Sequence, residues 1–334
     1  MNYSIEKIAK EFGISKTTVS LILNGKASEN RISEELEKSV KAFCERVNYA
    51  PNIHARRMCS RVVGNIGLLI NENMLVDSEN PFTDQIISEI TGGVVLEAAR
   101  YGSRVTIQLY TEHDDEDKVF GWLRNREIDG LIYYGYAFDP EWLKSFEKEE
   151  RCVVGIGVAP QNEVSAVNLD NCSVMCEIAN TVLSRGRKHI LYVDGVDSYV
   201  AEQRLLGVRR AFEQNNLNFS DAKIIRADFS EKRAYEIFQA CEVDFDAVIC
   251  ANDDMAIGAL RALRERGFSI PEEISLTGAD NNRLTGYTTP AITTFDNRNT
   301  ILGKTAAAEL KRLIDGGHPR RIIIDSEIIN RNSI

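Results

Sequence analysis

From residue 62 onward, short apolar runs alternate with amphipathic segments, and this alternation constrains the fold more than any other feature of the chain. The runs cover 62–70, 105–110, 130–134, 152–156, 189–194, 223–226, 247–251 and 274–279, while 86–100 and Asn299–Ile314 carry helical spacing. Apolar stretches of this length, bounded by turns and separated by helices, read as strands covered on both faces, which means parallel sheets. About 270 residues of such texture exceed one doubly wound domain. Two lobes are expected, with a ligand crevice at the carboxyl ends of the strands.

The first 61 residues differ in kind. They carry 11 Lys and Arg against 7 Glu, a net of +4, which leaves −14 on the remainder of a chain whose total is −10. A small basic head on an acidic body is the charge distribution of a nucleic-acid-binding module, although +4 alone is modest. Ser4 is placed to cap a helix whose stripe is Ile5, Ile8, Ala9 and Phe12, and Gly13 ends it. Ser15 is placed to cap a second helix, with Val19, Ile22 and Leu23 inward and Lys16, Thr17, Ser20 and Leu21 outward. A third amphipathic helix, 33–47, brings Leu36, Val40 and Phe43 to close a three-helix core. Two short helices joined by a glycine turn form a helix-turn-helix, whose second helix reads base edges in the major groove.

The segment from Ile5 to Asn24, the stretch Asn48-Tyr49-Ala50-Pro51-Asn52 and the pair Ala55-Arg56 together resemble the headpiece and hinge of the lactose-repressor (LacI/GalR) family of bacterial transcription regulators. Further motifs extend the resemblance over essentially the whole chain: Gly92, Val167-Asn168-Leu169-Asp170-Asn171, Arg204-Leu205-Leu206-Gly207, Ala251-Asn252-Asp253-Asp254, Gly278-Ala279-Asp280-Asn281 and Arg331. The resemblance implies an all-α helix-turn-helix headpiece (1–47), a hinge (48–61) and a periplasmic-binding-protein-like α/β core (62–334) with parallel sheets. Its lobes would comprise 62–162 with 294–322 and 163–293 with 323–334, the chain crossing near 162, 293 and 323. The function it implies is a ligand-responsive repressor, a homodimer on a palindromic operator in double-stranded DNA, with a sugar or sugar derivative bound between the lobes.

Carried over position by position, Lys16, Thr17 and Leu21 would read bases, while Thr18, Ser20 and Asn24 would contact the backbone, joined in the hinge by Arg56 and Arg57. Met58 stands where the family usually has a leucine that wedges into the minor groove. The effector set is Phe82, Arg204, Phe229, Asn252 and Asp280, with Ser198 and Asp170 in addition. Charged and amide groups at strand ends suit ligand hydroxyls, and aromatic faces suit an apolar ring side. Competing assignments are an ion-pair role for Arg204, a turn cap for Asp280, a core position for Phe82, and helix N-caps for Asp170 and Asp253. Gly155 replaces an aspartate common in sugar-binding relatives, which puts a simple sugar in doubt. The stripe Leu302, Ala306, Leu310 and Leu313, together with the first core helix, suits either a dimer face or packing on its own sheet.

Other classes fit less well. Seven cysteines without a CxxC pair indicate neither disulfide scaffold nor zinc site, and suit a reducing cytoplasm. No signal pattern or bilayer-length apolar run is present, which counts against a secreted solute-binding protein with the same two lobes. Gly64-Asn65-Ile66-Gly67 is not a GxGxxG turn, no GxSxG, P-loop or HExxH occurs, and the four histidines are scattered. Neither an enzyme nor a cofactor is expected.

Overall fold

The structure of the protein is a computed structural model that describes residues 3–23, 25–49, 62–77, 79–110, 121–135, 152–160 and 164–334. It divides into two compact units, Met1–Val63 and Gly64–Ile334. Asn24, Arg56, Arg57 and Met58 lie outside the described residues.

The first unit contains α1 (Ile5–Glu11), α2 (Lys16–Leu23) and α3 (Glu34–Arg46). Serines start all three: the Oγ atoms of Ser4, Ser15 and Ser33 accept from the amides of Lys7, Thr18 and Leu36, satisfying donors that a helix start leaves without partners. Gly13, at φ +62°, makes the turn between α1 and α2. Ile8, Val19, Ile22, Val40 and Phe43 form the core, with Tyr3 and Phe12 edge-on to the Phe43 ring.

In chain order the second unit runs β1 (Asn65–Asn71), α4 (Gln85–Arg100), β2 (Arg104–Tyr110), β3 (Leu131–Tyr134), β4 (Val153–Ile156), β5 (Ser165–Leu169), α5 (Asn171–Ser184) and β6 (Ile190–Asp194). It continues with α6 (Tyr199–Gln214), β7 (Lys223–Arg226), α7 (Glu231–Ala240), β8 (Ala247–Cys250), α8 (Asp253–Glu265) and β9 (Ser275–Thr277). It ends with β10 (Thr294–Phe295), α9 (Asn299–Ile314), β11 (Arg321–Ile324) and β12 (Ile328–Ile329). Among the described residues, one lobe holds a sheet ordered β11-β5-β4-β3-β1-β2 and the other a sheet ordered β7-β6-β8-β9. Every pairing within them is parallel. The antiparallel pair β10–β12 lies where the chain passes between lobes. Helices pack in pairs, α4 on α9, α5 on α6 and α7 on α8.

The lobe boundaries differ from the sequence expectation. The first crossing follows Leu169, not residue 162, because β5 is hydrogen-bonded between β4 and β11. Its polar letters hide a strand buried along its whole length: Ser165 Oγ donates to Glu309 at 2.7 Å, and Asn168 Nδ2 donates to the Val158 carbonyl at 3.0 Å. The second crossing follows Asp296, since Thr293 and Asp296 bridge to Thr277 and Asp280 beside β9. The third follows β11, which ends at Ile324. Leu302, Ala306, Leu310 and Leu313 are buried in the core of the first lobe, so this stripe packs on its own sheet and does not form a dimer face.

Candidate DNA-reading helix and ligand cavity

On α2, Val19 and Ile22 are fully buried, Lys16 and Thr17 are exposed, and Leu21, Thr18 and Ser20 are half-buried. The inward and outward faces are those that the spacing predicts. The sequence did not reveal that the Lys16 ammonium is paired with the Glu6 carboxylate of α1. That hydrogen bond and charge hold the Glu6 carboxyl below its ordinary range. Both side chains are exposed, so the pair is weak enough for a phosphate or a guanine edge to displace. The Thr18 hydroxyl lies 2.8 Å from the Ser15 hydroxyl, at the helix start.

In the second unit a cavity of about 230 Å³ opens at the carboxyl ends of strands from both lobes. Tyr134, Ile156 and Leu169 are the last residues of β3, β4 and β5, while Asn252 follows β8 and Asp280 follows β9. One lobe contributes the aliphatic side chains Met74, Ile86, Ile90 and Leu302, and the other contributes Asn171, Arg204, Asn252 and Asp280.

Four of the seven expected effector residues line this cavity: Arg204, Phe229, Asn252 and Asp280. Arg204 is buried and spends four of its five N–H groups on protein acceptors. Nε donates to Asn171 Oδ1 at 2.9 Å, an Nη1 hydrogen goes to the Ala251 carbonyl, and Nη2 reaches Asp280 Oδ1 at 2.7 Å and Asn297 Oδ1 at 3.4 Å. Its guanidinium carbon stands 5.1 Å from the centre of the Phe295 ring. Asn252 is equally engaged, capping α8 through the Met255 amide at 2.9 Å and donating to the Phe229 carbonyl at 3.1 Å. The Phe229 ring is fixed by Gly195, where any Cβ would come within 2.1 Å of it.

The other three stand outside the lining. Phe82 is 52% exposed on a short 3-10 turn. Ser198 caps α6 by accepting from the Ala201 amide, and Asp170 caps α5 by accepting from the Ser173 amide. Asp253 is not the cap of α8, because Asn252 takes that place. The Asp253 carboxylate turns inward instead, accepting from the Asn282 amide at 2.6 Å. A Cβ at 155 would meet the Val158 side chain at 2.3 Å, and Gly155 itself is not among the lining residues, whereas its neighbours Ile156 and Gly157 are.

The structure adds acids that the sequence reading missed. Asp77, Asp84, Glu231 and Asp254 join Asp280 on the lining. Asp77 spans the lobes: its oxygens accept from Ser230 Oγ at 2.9 Å and from the Glu231 amide at 3.0 Å, at the start of α7. Burial, reinforced by Asp280, Asp84 and Glu231, raises Asp254 to about 7. Burial raises Asp280 to about 6 against the opposing pull of Arg204. Asp84 is raised as well, by burial and by Glu89, although the Ile87 amide stabilises its charge. A signal was present: Asp84 stands two residues before a predicted helix, and Asp254 follows Asn252-Asp253 at another helix start. Among the described residues no group of three His, Cys, Asp or Glu side chains could hold a metal ion.

A three-helix head with a polar outer face on its second helix, in one chain with a two-lobed core around a ligand-sized cavity, defines a ligand-responsive DNA-binding transcription regulator. Residues 4–52 match the bacterial regulatory proteins of the lacI family, and residues 179–334 match the periplasmic binding protein-like domain. The HTH-type transcriptional repressor PurR of Aliivibrio fischeri is 29% identical over 344 residues, covering 99% of this chain and 98% of its own. The fold matches that of the lac repressor dimer bound to operator and the anti-inducer ONPF, with TM-score 0.84 and 20% identity over 100% of this chain and 99% of that one. It also matches a transcriptional regulator CelR–cellobiose complex, with TM-score 0.73 and 22% identity over 99% of this chain and 100% of that one. The chain belongs to the LacI family of bacterial transcription regulators, which are not enzymes.

Proposed function

We propose that the protein is a cytoplasmic repressor that binds a palindromic operator as a homodimer, with α2 of each head in the major groove, and that a small metabolite in the cavity alters operator affinity. One observation carries the reading: the cavity is lined by both lobes, and Asp77 hydrogen-bonds across them at its rim. A ligand seated there favours one lobe arrangement over another, which is the condition for coupling to a second site. Lys16, Thr17 and Leu21 read bases, and Thr18, Ser20 and Asn24, with Arg56 and Arg57, hold the backbone. Met58 enters the minor groove. Val95 and Leu96 on α4 and Leu109 on β2, all more than 40% exposed, supply apolar surface for the second copy. Among the described residues no helix is long and apolar enough to cross a membrane.

A gel shift against DNA upstream of the protein's own gene tests the reading. A salt-sensitive complex selective for one palindrome is expected, and its absence at every upstream palindrome would sink the proposal. Arg204→Ala, which removes the hub of the polar lining, is expected to abolish the ligand response and to retain operator binding. Unchanged ligand response in that variant would place the effector elsewhere.

A further inference from the structure

We propose that the effector is a small organic cation, a primary ammonium group on a compact body, seated between Asp84 of one lobe and Asp254 of the other. This rests on the effector-cavity reading and names the ligand class. Among the described residues, five carboxylates line the cavity against one cation, Arg204, and Asp280 at 2.7 Å already neutralises that cation. An anionic ligand therefore meets a guanidinium with four of its five N–H groups spent and an excess of like charge around it. Asp77 is satisfied by Ser230 and the Glu231 amide, and of the remaining carboxylates, Asp84, Glu231 and Asp254, it is Asp84 and Asp254 that also border a second recess between the lobes.

These two arrive from opposite sides. Asp84 caps α4 in one lobe and Asp254 lies in the first turn of α8 in the other, yet both border one recess with Asp280 and Asn282. Asp253 borders it too, 1% exposed, and its Oδ1 has no hydrogen-bond partner among the described residues. Facing carboxylates oppose approach of the lobes while the site is empty. An ammonium group removes that repulsion and adds three donors to those the carboxylates already accept, the Ile87 amide at Asp84 and Asn282 Nδ2 at Asp254. A neutral polyol supplies donors without relieving the charge. The aliphatic side chains Met74, Ile86, Ile90 and Leu302 receive the body of the ligand.

Calorimetric titration of the full-length protein at pH 7.5 with amines and their hydroxyl twins tests this: D-glucosamine against D-glucose, tyramine against tyrosol, putrescine against 1,4-butanediol. At least one amine is expected to bind tenfold or more tightly than its twin. Asp254→Asn and Asp84→Asn, which keep size and, at 84, the helix cap, are expected to erase that preference while raising the melting temperature of the ligand-free protein. Hydroxyl twins that bind as tightly, amines whose preference survives both substitutions, or no binding by any amine would each overturn the proposal. A neutral twin that binds and alters the operator complex overturns the charge assignment and leaves the effector cavity standing. An amine that binds through Asp254 without altering the operator complex supports the ligand class and overturns the effector reading.

Discussion

On the proposed reading, Lys16 and Leu21, five residues apart on α2, divide the work of recognition between charge and shape. Lys16 can donate to a guanine edge or a phosphate in exchange for its exposed ion pair with Glu6. Leu21 has no hydrogen-bonding capacity and favours only a thymine methyl. Lys16→Ala is expected to cost about 1–3 kcal/mol of operator affinity. Leu21→Ala is expected to relax preference at one or two symmetric half-site positions with a smaller loss, as read by competition binding with substituted operators. Equal loss on specific and random DNA for Leu21→Ala would remove it from the reading set. The facing of these residues was legible because a helical stripe of Val19, Ile22 and Leu23 fixes which side chains point away. The Glu6 partner was not, since it joins residues ten apart on two helices whose crossing no periodicity encodes.

Between elements, α4 and α9 approach closely enough to exclude a side chain at the crossing. A Cβ at Gly303 would stand 2.2 Å from the Ile90 carbonyl oxygen, and one at Gly93 would stand 2.3 Å from that of Thr300. Backbone cannot yield as a flexible side chain does, so Gly303→Ala must push the helices apart. The expected cost is about 1–2 kcal/mol, an overpacking penalty of ~1–3 kcal/mol partly offset by alanine's helix propensity. Gly92→Ala serves as the contrast: nothing lies within 4 Å of its Cβ position, and a gain of up to about 1 kcal/mol is expected. Urea denaturation of both variants checks the pair, and equal shifts would refute the assignment of the crossing. The sequence motif marks Gly92, whereas the crossing uses its neighbour. Only the relative rotation of two helices decides between adjacent glycines. Strand β5 shows the same limit, because Ser165 and Asn168 read as polar until Glu309 and the Val158 carbonyl are found beside them.

At the scale of the whole molecule, closing the lobes has a proton cost. With Asp254 raised to about 7 and Asp280 to about 6, the ligand-free folded protein holds protons that the unfolded chain has already released. Stability from these groups is therefore greatest near and below the ordinary aspartate range, falls as pH rises toward 7, and levels above it. The melting temperature of Asp254→Asn relative to the parent is expected to rise from pH 5 to pH 7.5, because the variant lacks the charge that forms there. Parallel profiles would show that Asp254 is not strained by its neighbours Asp280, Asp84 and Glu231. An amine bound between the lobes draws those protons off, so its affinity is expected to increase with pH over the same interval.

By itself the sequence determined the helix-turn-helix head, the two lobed parallel sheets, the family, and the faces of α2. The head, the sheets and the faces of α2 are written in local periodicity, capping residues and turn glycines, which act over a few positions of chain, and the family is carried by resemblance of its motifs. Arg204, Asn252 and Asp280 were reachable from the sequence only through resemblance. Tertiary structure alone decided that Arg204 is already saturated, that Phe82, Ser198 and Asp170 stand outside the lining, and that Asp84 meets Asp254 across the cleft. A cavity's charge is a sum over side chains far apart in sequence, and burial sets the weight of each. That sum does not exist until the lobes close around it.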